Sequence, residues 1–532
     1  MKKAAKDTST IARSASSVSS AVMVSRVLGL VREQAFAYLF GAGPAYDAFV
    51  VAFRIPNLLR DLFGEGALST AFVTVFTDRQ EKGDEAAIWR LAGNVLTFFT
   101  LLVGAICLVG IWQSDNLVRL LVERAFEVDP QRMGLAVDLT RIMFPFLLFV
   151  SLASVVMGIL NSRGRFFIPA LASSFFNMGS ITVGVALALL FPHFGLPAIA
   201  GMACGTLAGG FLQLAGQIPS LYRSGFRFVP HLNLKDPGLL RILKLMLPAV
   251  AGLSALQINV FINNFFASSL AVGSLSWLNY AFRIFQFPVG VFGVALAIAA
   301  TPVMARHAAR QDLPALRETY TSSLVMSLAL SIPATCGLWL LSEPITQVIF
   351  QYGHFTPEST RMTALALDCF VVGLFAYAAV KVTVPVFYAL DETRFPVVGS
   401  FIAVAVNLAV VLLTIKPLAH RAMALGISLG MVGNFLFLFV AVYRRLGGFS
   451  LKHLAGGIWR IILAAALMGG LVRGGLAVIS VAGVNRLAEL VILLATICLA
   501  ALLYGLVLHL LGLKEFTTVV ERVRARLAPS KG

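Results

Sequence analysis

Long apolar runs separated by short polar connections organise the whole chain. Runs of the length that crosses a bilayer as a helix, about 20 residues, occur near 18–41, 44–77, 86–113, 134–160, 166–191, 196–222, 241–270, 274–304, 314–341, 359–388, 395–415, 421–444, 457–479 and 487–512. They predict about fourteen transmembrane helices and no strands. Residues 1–20 are basic and rich in Ser and Thr, with no apolar core ahead of a small-residue site, so the first run is expected to direct insertion itself.

The runs also repeat. Ala52-Phe53-Arg54-Ile55 recurs as Ala281-Phe282-Arg283-Ile284, at an offset of 283 − 54 = 229. Phe63-Gly64 recurs at the same offset as Phe292-Gly293, Phe126 with Arg132-Met133 as Phe355 with Arg361-Met362, and Arg165-Phe166 as Arg394-Phe395. Four short matches at one offset and in one order predict a duplicated unit. The offset holds six runs, and an even number returns the chain to the same side, so the halves are expected to be parallel repeats. The expected architecture is an all-α polytopic membrane protein. Residues 1–228 and 229–447 form two parallel-repeat six-helix lobes, and 448–532 adds two C-terminal helices and a basic tail.

Composition agrees with this reading: 58% of the 532 residues are hydrophobic and 13% charged, too little polar surface for several soluble domains. Lys and Arg in alternate connections number 27 on one side and 7 on the other, which predicts both termini in the cytoplasm. The net charge of +17 then reflects a basic inner face beside anionic lipid, and nucleic acid is not expected as a partner. Five scattered cysteines, and the absence of H-E-x-x-H, Walker-type and G-x-S-x-G motifs, point away from a metal site, a cofactor and an enzyme.

Charges inside the runs are the functional signal. Arg26, Arg32 and Glu33 interrupt the first run, with Gly29 between them able to admit a bend or a close helix approach. Asp47, Arg54 and Asp61 recur every seven residues on one helical face, with Asn57 close to it, and Arg60 follows. Ser276, Asn279, Arg283 and Gln286 follow 3-4-3 spacing on another face, beside Pro288 and Gly290, which can bend the helix. An arginine facing lipid near the bilayer centre costs roughly 2.5–3.5 kcal/mol. Arg26, Arg32, Arg60 and Arg283 are therefore expected to face water and to bind an anion, phosphate above all, because the guanidinium fork matches its oxygens. Arg54 is expected to balance Asp47 or Asp61. Glycine rows 201/205/209 and 426/430 read as helix contacts, and Trp112, Trp277 and Trp339 as interfacial anchors.

"SRVLGLVRE", "FGAGPAYDAFVVAFRIPNLLRDLFGEGALSTAFV" and "SLSWLNYAFRIFQFPVGVFGVALA" resemble the MurJ (MviN) lipid II flippases of the MOP transporter superfamily, and the resemblance covers nearly the whole chain. It implies a flippase, with no covalent chemistry, that moves lipid II, the undecaprenyl-diphosphate-linked peptidoglycan precursor, outward across the bacterial inner membrane. A flippase for another polyprenyl-diphosphate oligosaccharide is the alternative.

By motif, the resemblance carries substrate roles onto Arg26, Arg32, Arg60 and Arg283, and family positions onto Asp47 and Ser276. It implies a groove for the polyprenyl tail at the last two helices. Membrane lipids and the peptidoglycan synthesis machinery are implied partners, and the protein is expected to be a monomer. Two departures matter. Phe282 and Gln286 stand where relatives carry acids, and the neighbourhood of Asn407 is apolar, so driving by membrane potential is expected in place of sodium coupling.

Overall fold

The computed structural model describes residues 2–61, 67–81, 85–482 and 486–527. The middle of the second apolar run and the end of the basic tail lie outside them. The helices in chain order begin with α1 (Lys2–Phe40), α2 (Pro44–Arg60), α3 (Ala67–Glu81), α4 (Glu85–Trp112), α5 (Ser114–Leu121), α6 (Arg124–Glu127), α7 (Pro130–Met143) and α8 (Phe146–Ser162). They continue with α9 (Phe167–Leu190), α10 (Ala198–Ala215), α11 (Ile218–Tyr222), α12 (Pro237–Ser268), α13 (Ser274–Pro288), α14 (Ala295–Ala309), α15 (Leu313–Leu340) and α16 (Ser342–Phe350). The last are α17 (Pro357–Val371), α18 (Leu374–Ala389), α19 (Arg394–Leu418), α20 (Arg421–Arg445), α21 (Leu451–Ala482), α22 (Arg486–Leu510) and α23 (Lys514–Leu527). Their starts follow local chemistry. Asp129, Asp236 and Thr356 each accept backbone N–H groups at an N-terminus, and a proline fills the next position, where its missing N–H costs nothing.

The duplication is visible in this order. Shifted by the sequence offset, α2 falls on 273–289 against α13 at 274–288, α3 on 296–310 against α14 at 295–309, and α4 on 314–341 against α15 at 313–340. Likewise α7, α8, α9 and α10 fall on α17, α18, α19 and α20, with boundaries differing by at most six residues. Among the described residues ten helices are long and apolar enough to cross a membrane, or eleven if α17 and α18, bent by 42°, form one span. The expected fourteen exceed that number by the runs holding α1, the α2–α3 pair and α12. Of these, α2 and α3 are too short singly, at 17 and 15 residues.

The helices form two compact units, residues 1–276 with 352–355, and residues 277–351 with 356–532. In the first, α3, α4 and α8 close a core around Phe72, Phe76, Leu91, Phe99 and Ile159, onto which α12 lays Leu239 and Ile242. In the second, α15 and α18 centre a core with Tyr320, Leu324 and Phe387. There α21 and α22 pack beside α15, where the Tyr504 hydroxyl donates to the Ala329 carbonyl at 2.6 Å. The glycine rows act as read from the sequence. Gly205 meets the backbone of Gly184 and Gly209 that of Phe176, while Gly426 and Gly430 admit Asn407 and Ala403.

Within the first unit the two repeats exchange segments. The N–H of His354 donates to the Tyr38 carbonyl at the end of α1, at 3.0 Å. At the place that the offset matches to this one, the Glu123 N–H donates to the Ser268 hydroxyl at 2.7 Å and the Asn264 amide to the Leu121 carbonyl at 3.1 Å, at the end of α12. Gly41 and Gly353 make the first exchange possible. Both have positive φ (60° and 57°), and a Cβ on either would strike backbone, of His354 and of Tyr38 respectively. Gly353→Ala should therefore lower the melting temperature of the detergent-solubilised protein by more than Gly195→Ala. Gly195 has φ +71° but open space around its Cβ, so it incurs only the backbone cost of about 1–2 kcal/mol. Equal shifts for the two would show that the exchanged segment is not held by this contact.

Candidate functional site

The first-run charges are organised by α1, α2 and α9. Glu33 is buried and accepts from the Arg32 guanidinium at 2.8 Å and from the Tyr46 hydroxyl of α2 at 2.8 Å. Arg32 also lies over the Phe176 ring of α9, 5.2 Å from its centre. Asn177 on the same helix donates to the Ser25 carbonyl at 3.0 Å and meets the face of Gly29, whose Cβ would stand 3.6 Å from it. Glu33 thus neutralises Arg32, and Gly29 serves close helix approach. Arg26 stays partly exposed nearly two turns earlier, with no ion pair among the described residues.

Asp47 is 1% exposed and accepts four hydrogen bonds. Its donors are the Gly273 N–H at 2.7 Å, the Ser276 N–H at 2.9 Å, the Ser276 hydroxyl at 2.6 Å and the Arg132 guanidinium at 3.2 Å. Arg132, itself buried, rests on the Phe126 ring at 4.3 Å. Ser276 is the residue that the sequence offset assigns to Asp47 (276 − 47 = 229), so the carboxylate of one repeat is bound by its own counterpart in the other. Of the two acids that flank Arg54 on its face, Asp47 pairs with Arg132, from α7, a different helix. Asp61, the other acid on that stripe, is bound by its neighbour Arg60 at 2.9 and 3.3 Å, with the Gln257 amide at 3.5 Å. Arg32 and Arg60 are therefore not bare cations, because each carries a carboxylate beside it. Arg54 and Asn57 lie half-buried on α2.

In the second unit, α13 carries Asn279 and Arg283 half-buried and Gln286 exposed. Tyr280 packs on Phe350, and Phe285 on Phe370 and Tyr377, which fixes the helix face. At Pro288 and Gly290, where the helix can bend, the structure has a π-helical turn, Val289–Val294, a distortion that commonly marks functional stretches. Trp112 and Trp339 are exposed at 77% and 61%, as anchors would be. Trp277 is not: it is buried, its ring centred 5.0 Å from that of His420.

Sequence reasoning missed Arg132 and Tyr46 as partners of the acids. Arg132 served only as a repeat marker, and nothing periodic links it to Asp47. Asp47 and Ser276 stand at equivalent positions of the two repeats, and their contact is found in the fold.

The arrangement couples polar groups inside helices that are otherwise apolar, with no metal-binding group of His, Cys, Asp or Glu among the described residues. Comparison with known proteins gives it a family. The family model described as "Lipid II flippase MurJ" matches residues 36–508. A curated relative from Burkholderia cenocepacia, "Lipid II flippase MurJ", is 33% identical over 432 residues, covering 80% of this chain and 83% of the relative. Among solved structures, "Lipid II flippase MurJ, inward closed conformation" superposes with a TM-score of 0.75 at 23% identity, covering 96% of this chain and 99% of that one. An inward-facing multidrug resistance MATE transporter of the MOP superfamily gives 0.68 at 16% identity, over 80% of this chain and 94% of that one. By sequence and by fold, the chain belongs to the lipid II flippase MurJ family.

Proposed function

We propose that the protein carries lipid II from the cytoplasmic to the periplasmic leaflet of the bacterial inner membrane. One observation carries the reading beyond family membership: Arg283, a fixed cation, stands half-buried on a membrane-spanning helix, and a diphosphate is the ligand that a guanidinium fork fits. Arg26 adds a second cation, and Arg32, Arg54, Asn57, Arg60, Asn279 and Gln286 supply further polar contacts for the sugar and peptide.

The mechanism is alternating access by the two repeats. The head group enters from the cytoplasm and leaves outside while the polyprenyl tail stays in lipid. Asp47 and Ser276 form a polar closure made in one state and broken in the other. The tail would run along α21 and α22, whose faces leave Ile462, Leu467, Leu494, Leu502 and Leu506 exposed. The protein acts as a monomer beside the enzymes of wall synthesis and uses the membrane potential. Reconstitution in liposomes with lipid II and with another polyprenyl-diphosphate oligosaccharide tests the assignment: selective movement of lipid II supports it, and movement of neither removes it.

The proposed orientation puts both termini inside. Single cysteines at Asn116 and Glu343 in a cysteine-free background should react with an impermeant thiol reagent from outside, and those at Glu85 and Asp312 should not. All four positions are exposed and lie at or near helix ends. The opposite labelling pattern would overturn the positive-inside assignment.

A further inference from the structure

In the second unit α18 is enclosed by α14, α15, α20 and the π-helical turn, and nine of its sixteen residues are buried. Lys381, in the middle of this helix, is exposed. Its stem lies along the π-helical turn: a Cβ on Gly293 would stand 3.6 Å from Lys381 Cγ and 3.3 Å from Ala378 Cα. Glycine at 293 therefore lets α18 come close and leaves room for the lysine stem. The ammonium makes no hydrogen bond or ion pair among the described residues. No carboxylate stands on α18 or on α13, the π-helical turn and α14.

A lysine in this position has no structural partner among the described residues to explain it, and an ammonium held in hydrocarbon is costly enough to be rare without a use. Its level along the membrane is informative. Gly293 follows Arg283 by ten residues on the same span, about 15 Å along a helix, toward the end that the Lys/Arg bias places in the cytoplasm. We infer that Lys381 is a further diphosphate contact, met by the entering head group before Arg283. The inference rests on the lipid-diphosphate reading above. The residue type suits the task, because a point charge on a flexible stem attracts phosphate without demanding one orientation, whereas the arginine fork fixes it. Lys381 and Arg283 would thus divide capture from orientation.

The test uses the full-length protein in detergent, with undecaprenyl diphosphate, undecaprenol and phosphatidylglycerol as separate probes. Lys381→Met keeps the stem on Gly293 and removes the charge. It should weaken binding of undecaprenyl diphosphate about tenfold, the loss of one charge-assisted contact, and leave undecaprenol binding unchanged. Lys381→Arg should stay close to the parent, unlike Arg283→Lys. Lys381→Gln gives the same readout if the methionine variant does not fold. Unchanged diphosphate binding by Lys381→Met overturns the inference, and so does a loss confined to phosphatidylglycerol, which would mark an ordinary lipid-headgroup contact. Arg283→Ala in the same assay separates the two levels. If it loses diphosphate binding while Lys381→Met does not, only this inference fails; if neither loses it, the diphosphate reading fails as well.

Discussion

Arg283→Ala is expected to abolish lipid II translocation in a protein that still reaches the membrane at normal levels. Arg283 sits on α13 between residues that hold the helix by aromatic packing, Tyr280 on Phe350 and Phe285 on Tyr377. Removing the guanidinium therefore leaves that aromatic packing in place. If recognition is bidentate, two charge-assisted hydrogen bonds are lost, each about 1.5–3 kcal/mol, which together exceed a hundredfold in binding. Arg283→Lys keeps the charge but loses the planar fork and should recover little. The measurement is complementation of cells depleted of their own flippase, with membrane levels of each variant checked. Full growth on Arg283→Ala would remove the claim that this charge exists to carry a lipid diphosphate.

The sequence made the architecture legible because two independent periodicities act on it. Apolar run length set the spans, and the repeat offset placed α13–α15 and α17–α20 on their counterparts within a few residues. Side-chain partners were legible only where that offset, or the helical period, connects them. The offset makes Ser276 the counterpart of Asp47, and the fold brings the two into contact. The stripe of Asp47, Arg54 and Asp61 follows one helix and offers Arg54 as a partner for either acid, but the cation on Asp47 is Arg132. A helical wheel shows which residues share a face, but not which side chains of other helices meet it, and Arg132 arrives from α7. Arg60 and Arg32 show the reverse limit. Each is matched by the acid directly beside it in sequence, a pair that sits about 100° apart on an ideal helix and that wheel reasoning discounts, although long arginine side chains bridge it. Trp277 was misread for a similar reason. Its place near a run end suggested an interface, but the fold lays His420 over it.

The pairing of Asp47 with Arg132 gives the second large effect. Asp47 is 1% exposed and its side chain accepts from Ser276, Gly273 and Arg132. Arg132→Met removes the only cation among the described residues that pairs with it, while the methionine can still fill the space over Phe126. A buried carboxylate then keeps three neutral donors but loses its counter-charge, and breaking a buried pair in this way typically costs about 3–5 kcal/mol. Arg132→Met should accordingly lower the melting temperature of the purified protein markedly. Asp47→Asn keeps the size of the side chain and an acceptor oxygen for Ser276, so the Asp47→Asn/Arg132→Met double variant should regain much of the lost stability. The interaction term of that double-mutant cycle reports the pair itself. Arg54→Met combined with Asp47→Asn serves as the comparison, because the structure gives Asp47 to Arg132. A cycle in which Asp47 couples strongly to Arg54 and not to Arg132 would mean that the buried acid is balanced along its own helix, as the sequence stripe alone suggests, and would reverse the assignment made from the fold.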